Sequence, residues 1–146
     1  MGFAKFERLF RAAGGVDVDR DDVKRYLDFV NDAIYDLLLM GQATAKANAR
    51  DILEPRDLPI TKGLQESVHA FQKLDEEIEL RPILDHLAAR PPLDAALSED
   101  TQARLPLIFG GISVALAKTF EIVDAELKAV HTLEWERAFS IFRLLI

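Results

Sequence analysis

Apolar residues recur at helical spacing along the whole chain, and no stretch alternates strictly enough to predict a strand. Residues 3–13 place Phe3, Phe6, Leu9, Phe10 and Ala13 on one face. Gly14-Gly15 predicts the stop of this first helix, because glycine accepts the left-handed conformation found after helix ends. The aspartates of Val16-Asp17-Val18-Asp19-Arg20-Asp21-Asp22 then suit the start of a second helix, where they cap it and face its positive end. Val23, Leu27, Val30, Ile34, Leu37 and Gly41 recur in steps of four and three, which predicts a long helix over residues 21–49 with one buried stripe. A shorter helix is expected over residues 59–72, with Pro59 at its first position and Ile60, Leu64, Val68 and Phe71 on its apolar face.

The charged stretch of residues 75–81 reads as a connector, after which the same order returns. A short helix is predicted over residues 82–89, interrupted by Arg90-Pro91-Pro92-Leu93. A long one follows over residues 105–129, with Ser98 as the alternative start because Pro106 obscures the beginning. A last helix is expected over residues 133–146, with Thr132 as N-cap. The chain therefore reads as an all-α protein made of two short–long–short units, residues 1–76 and 77–146. Their offset of roughly 77–80 residues predicts duplication, pseudo-twofold packing and one shared globule. Gly110-Gly111 sits in the middle of the second long helix, where glycine costs up to about 1 kcal/mol relative to alanine. The pair predicts close approach of another helix, and the expectation is that the two long helices cross there.

Composition narrows the classes. A chain of 146 residues, 49% of them apolar, can bury a large core without staples, and it has no cysteine for disulfides or zinc–thiolate sites. Its longest uncharged stretch, residues 105–117, is shorter than the roughly 20 residues that span a bilayer. The first residues lack the apolar core of a secretory signal. No membrane association and a cytoplasmic location are the expectations. The net charge is −7, shared between halves that carry 11 basic and 14 acidic residues (1–76) and 7 and 11 (77–146). This balance works against general attraction to nucleic acid or anionic membrane.

The loop after the first long helix carries the most specific stretch, Arg50-Asp51-Ile52-Leu53-Glu54-Pro55-Arg56-Asp57-Leu58. Together with the short–long–short order it resembles the histone fold, in which an arginine, an apolar residue and an aspartate clamp the loop through an internal ion pair. Arg50, Leu53 and Asp57 fall at the matching spacing. The run Arg56-Asp57-Leu58-Pro59-Ile60-Thr61-Lys62-Gly63-Leu64 also resembles a small bacterial family with two tandem histone folds in one chain, packed as a pseudo-dimer. What the resemblance implies is two histone-fold-like units in an intramolecular pseudo-dimer, an Arg50–Asp57 ion pair, and protein heterodimerisation as the typical use of such a fold. In the second half Val130 is read at the arginine position and Arg137 at the aspartate position, so no clamp is expected there.

Little catalytic chemistry is legible. Glu66-Ser67-Val68-His69 has the Glu-x-x-His spacing of di-iron bundles, but no second copy exists. Asp17, Asp19, Asp21 and Asp22 lack the glycine and closing glutamate of a calcium loop. Ser67, Ser98, Ser113 and Ser140 sit in no nucleophile motif, and no phosphate-cradling glycine loop is present. The expectation is a non-enzymatic protein with no cofactor and no metal. On the resemblance, duplex DNA would meet the first loop of one unit paired with the second loop of the other, through arginines and backbone contacts. Lys5, Arg8, Arg11 and Arg90 are the candidate DNA contacts, while the aspartates of residues 16–22 would repel phosphate. The reading is therefore a module for association with a protein partner, and the runner-up is a nucleoid-associated DNA binder.

Overall fold

The computed structural model of the chain describes residues 2–87 and 92–145. Among these residues six helices run in the order α1 (Phe3–Gly14), α2 (Val23–Ala47), α3 (Lys62–Ile78), α4 (Arg81–Leu87), α5 (Glu99–Val123) and α6 (Thr132–Arg143). The protein is all-α, with α2 and α5 each 25 residues long. Four two-residue strands break the helical pattern: β1 (Asp17–Val18), β2 (Ile52–Leu53), β3 (Ala96–Leu97) and β4 (Ala129–Val130). They pair in parallel, β1 with β4 and β2 with β3, so each loop of one half is tied to a loop of the other. Two-residue strands leave no alternation for a sequence to display, because only one side chain of each pair faces the core.

Local chemistry explains most boundaries. Gly15 ends α1 in the left-handed region, at φ 65°. A single turn of 3-10 helix, Arg20–Asp22, leads into α2, and the Asp19 carboxylate accepts from the Asp21 N–H. Several expected ends move. Pro59 is not the first residue of α3: the helix begins at Lys62, with the Thr61 hydroxyl accepting from the Leu64 N–H at 3.1 Å. It continues to Ile78, so the expected connector at 75–81 is mostly helix. The break is Glu79, at φ 58°, and Asp75 Oδ1 accepts from the N–H groups of both Leu80 and Arg81. A boundary at 76/77 thus falls within the last turn of α3. Helix α5 starts at Glu99 under a Ser98 cap, accommodates Pro106 in its interior and stops at Val123, six residues before the expected end. Helix α6 is capped by His131 rather than Thr132, with the Glu134 carboxylate accepting from the His131 N–H at 2.8 Å.

One core serves both halves. Helix α5 runs through its centre with buried residues on all sides. It is the one helix among the described residues long and apolar enough to cross a membrane, yet 61% of its most apolar window is buried in protein. The Gly110-Gly111 pair does receive another helix, but that helix is α3 and not the long helix α2. A Cβ at Gly110 would lie 2.4 Å from the Phe71 ring, and one at Gly111 2.6 Å from Val68 Cγ2. The long helices meet instead through Tyr26. Its ring packs edge-on against Phe109, and its hydroxyl hydrogen-bonds Ser113, whose Oγ also donates to the Phe109 carbonyl at 2.8 Å. Burial pushes the Tyr26 phenol further up from its already high value.

Around this point an aromatic cluster joins α1, α2, α5 and α6. Trp135 packs against Phe10, Tyr26, Phe120 and Phe139, and Phe29 stacks on Phe139 at 4.2 Å. Trp135 is 1% exposed, and its indole N–H has no hydrogen-bond acceptor among the described residues. Truncation to alanine removes the ring and leaves a cavity, at a cost of about 3–5 kcal/mol. Trp135→Phe behaves differently. It loses some packing, but it also removes a buried unsatisfied donor worth about 1–3 kcal/mol. The two effects offset, so we expect Trp135→Phe to remain within about 1 kcal/mol of the wild type in urea denaturation. A loss as large as that of Trp135→Ala would show that the indole N–H is satisfied.

Candidate functional site

The loop pairs are the places where the two halves meet through backbone. At one end the Asp17 N–H donates to the Lys128 carbonyl at 2.7 Å, and Val18 lies opposite Val130. At the other, the Ala96 and Ser98 N–H groups donate to the Asp51 and Leu53 carbonyls, both at 3.1 Å. The Thr101 hydroxyl adds a buried bond to the Leu53 carbonyl at 2.8 Å.

The Arg50–Asp57 pair is bidentate. Nη1 donates to Oδ2 at 2.7 Å and Nη2 to Oδ1 at 2.6 Å, a geometry only a planar guanidinium supplies. Asp57 Oδ2 also accepts from the Glu54 N–H at 2.8 Å, which caps the Pro55–Asp57 turn. The Asp57 side chain is 1% exposed, against 23% for Arg50. Hydrogen bonds from Arg50 hold the Asp57 carboxyl down at about 2 rather than 3.8; burial opposes this, and the Glu54 N–H and the charges of Arg50 and Arg56 assist it. The same bonds from Asp57 raise the Arg50 guanidinium. Glu54 joins the cluster, accepting from Arg50 at 3.4 Å and pairing with Arg56 at 2.8 Å.

The strand positions give a different count for the second half. With the strands that follow the two long helices, β2 and β4, set against each other, Ile52 and Leu53 align with Ala129 and Val130, a shift of 77. Glu134, not Arg137, then stands where Asp57 stands, and Leu127, not Val130, stands where Arg50 stands. Glu134 keeps the backbone half of the role, accepting from the His131 N–H as Asp57 does from Glu54. The cationic half is gone, because leucine cannot donate. The misreading came from placing the end of α5 too late, which shifted the count by three.

Two of the candidate DNA contacts are engaged within the protein. Lys5 Nζ donates to the Glu79 carbonyl at 3.0 Å, and Arg11 pairs with Asp17 at 2.9 Å. Arg8 is exposed on α1, and Arg90 lies outside the described residues. Acidic side chains crowd both loop pairs: Asp17, Asp19 and Asp21 at one, Asp51, Asp94 and Asp100 at the other, all exposed. Beside the second pair an open hollow of about 640 Å³ is lined by Glu54, Pro55, Arg56, Ser98, Asp100 and Arg104. Its one hydroxyl, on Ser98, is engaged with Thr101. Among the described residues no group of three His, Cys, Asp or Glu side chains could hold a metal ion.

Two surfaces escaped the sequence reading. Large aliphatic side chains stand exposed on the last turn of α5 (Ile122, Val123), on α6 (Leu133, Ile141) and just after it (Leu144, Leu145). Val123 and Ile141 face each other across a cleft of about 120 Å³ floored by Phe120, Leu127 and Ala138. A second, larger groove lies between α1, the start of α2 and α4. Neither has a motif, since exposed apolar residues look like core residues until the packing partner proves absent.

Fold and loops define a class: an all-α chain of six helices among the described residues, whose loops are tied by two pairs of parallel two-residue strands. Residues 6–143 match the family described as a domain of unknown function (DUF1931), and the chain belongs to that family. It is similar to two uncharacterized proteins of Aquifex aeolicus. One is 28% identical over 87% of this chain and 74% of its own length, the other 30% identical over 88% and 82%. Among solved structures it resembles a Thermus thermophilus protein at 47% identity and TM-score 0.88, covering 98% of this chain and 97% of that one. An Aquifex aeolicus crystal structure, 26% identical, matches with TM-score 0.86 over 99% and 95%.

Proposed function

We propose that the two three-helix units are histone folds joined in tandem as an intramolecular pseudo-dimer, and that the protein is a non-enzymatic module for association with a protein partner. The crossed pairing of the loops and the Arg50–Asp57 clamp support the fold reading. The apolar cleft between α5 and α6 carries the functional reading. Ile122 is 82% and Leu144 84% exposed. Scattered exposed leucines are ordinary; Val123 and Ile141, both exposed and lining one cleft, support a surface that another protein covers. The acidic loop pairs argue against a phosphate backbone as the partner, since affinity for duplex grows with the number of phosphates neutralised.

The test compares wild type with Ile122→Glu and Ile141→Glu in nuclease-treated native extract and, separately, in a titration of labelled duplex at about 150 mM salt. Ile122 is 82% exposed, so its variant should melt like the wild type; Ile141 is 40% exposed, and a melting curve checks that its variant folds. The expected result is a discrete partner retained by the wild type and lost by both variants, with duplex binding weaker than about 1 µM. Tighter duplex binding, weakened by reversing Arg8 and Arg11, would replace this reading with the DNA-binding one.

A further inference from the structure

The groove between α1, α2 and α4 encloses about 980 Å³, the upper end of the roughly 300–1,000 Å³ typical of small-molecule sites. Phe3, Phe6, Val23, Leu27 and Ile83 form its lining. Phe3, Leu27 and Ile83 rest on the core and are only half-buried, so the groove presents an apolar wall to solvent. Its rim is cationic, with Lys5, Arg20 and Lys24 against one carboxylate, Asp28. Lys24 is paired with Asp28 at 2.9 Å, and Lys5 is held by the Glu79 carbonyl. The Arg20 guanidinium lies 4.7 Å above the Phe3 ring, and among the described residues no carboxylate pairs with it. In a chain of net charge −7, and although Asp19 and Asp21 flank Arg20 in sequence, the lining of this groove itself holds three cations and one carboxylate beside an open apolar surface.

We propose that this groove is a binding site for a single-chain amphipathic carboxylate, with the alkyl chain along the apolar lining and the carboxylate on Arg20. Arginine stacked on an aromatic ring keeps its planar fork of donors available, and that fork matches a carboxylate. A neutral alkane would leave Arg20 unused, and a duplex phosphate on a rigid helix could not reach the recessed lining. A cationic amphiphile would meet the like charges of Arg20 and Lys5, the third cation being paired with Asp28. The groove shares no residue with the α5–α6 cluster, so the assignment stands apart from the association reading.

Dodecanoate is the probe, titrated calorimetrically into the full chain below its micelle concentration, with dodecyltrimethylammonium as the counterpart of opposite charge. One dodecanoate per chain is expected, with a dissociation constant on the order of 10 µM. Dodecyltrimethylammonium should bind at least tenfold more weakly. Arg20→Glu should weaken dodecanoate at least tenfold, and Leu27→Glu should abolish binding. Arg104→Glu, at the second loop pair, should leave it unchanged. Trp135 emission and thermal melting report whether each variant folds; Arg20 is exposed, so its variant keeps the test decisive if Leu27→Glu fails to fold. No saturable heat up to about 1 mM dodecanoate would overturn the proposal. So would equal binding of the two amphiphiles, an unaffected Arg20→Glu, or displacement of dodecanoate by duplex DNA.

Discussion

Asp57→Ala lowers the melting temperature by on the order of 10 °C, the expected cost of leaving a partly buried guanidinium without its partner in a chain of this size. Three groups lose an acceptor at once: both Arg50 nitrogens and the Glu54 N–H. Asp57→Asn should cost less, because an amide oxygen can still accept from the Glu54 N–H and one Arg50 nitrogen, although its NH2 group then faces the other Arg50 nitrogen donor to donor. The same substitutions alter the acid limb. A carboxyl held at about 2 in the folded chain, against 3.8 otherwise, contributes stability that is complete above about pH 5. That contribution is lost progressively as the pH falls through 3.8 towards 2. Melting the wild type and Asp57→Ala from about pH 6 to about pH 2 should therefore give two curves that converge in acid. Parallel curves, or an unchanged melting temperature at neutral pH, would mean that the clamp does not hold the loop.

Alanine at Gly14 or Gly110 should destabilise the protein by about 1–3 kcal/mol or more, although alanine is the better helix former by about 0.8–1 kcal/mol. At Gly14 a Cβ would lie 2.1 Å from the Ala117 carbonyl oxygen, so α1 as a whole must move away from α5. At Gly110 it would lie 2.4 Å from three atoms of the Phe71 ring, a buried side chain with nowhere to swing. Gly63 serves as the control, because among the described residues nothing lies within 4 Å of its Cβ position and φ is ordinary. Gly63→Ala should be neutral or stabilising. A double-mutant cycle separates sterics from propensity: in a Phe71→Ala background the penalty of Gly110→Ala should shrink markedly. If Gly110→Ala raised the urea midpoint, α3 would not be seated on the glycine pair.

Several features were legible in the residues themselves because their causes are local. The period of the apolar positions marked the six helices of the described residues, and the left-handed Gly15 marked the end of α1. The resemblance of the stretch from Arg50 to Leu58 to the histone loop anticipated the Arg50–Asp57 ion pair, and it could do so because both partners lie on one short segment. Helix ends were less legible. Helix α3 begins at Lys62 under a Thr61 cap and not at Pro59, and His131 takes the cap of α6 from Thr132, since caps are chosen by which side chain reaches an N–H, a matter of a few degrees of backbone. The four strands were invisible for a different reason: each is two residues long and exists only because a loop from the other half supplies its partner.

Tertiary structure alone decided what the glycines and the surface residues do. The sequence determined that Gly110-Gly111 interrupts a helix at some cost; only packing decided that α3, and not α2, occupies the space, because steric demand names no partner. The sequence likewise determined the helical periods that set Val23 and Leu27 among the apolar positions. Whether such a residue becomes core or the wall of an open groove depends on whether an element from elsewhere in the chain covers it. Hydrophobic attraction is non-directional, so periodicity states that a face prefers burial, and only the three-dimensional arrangement states what buries it.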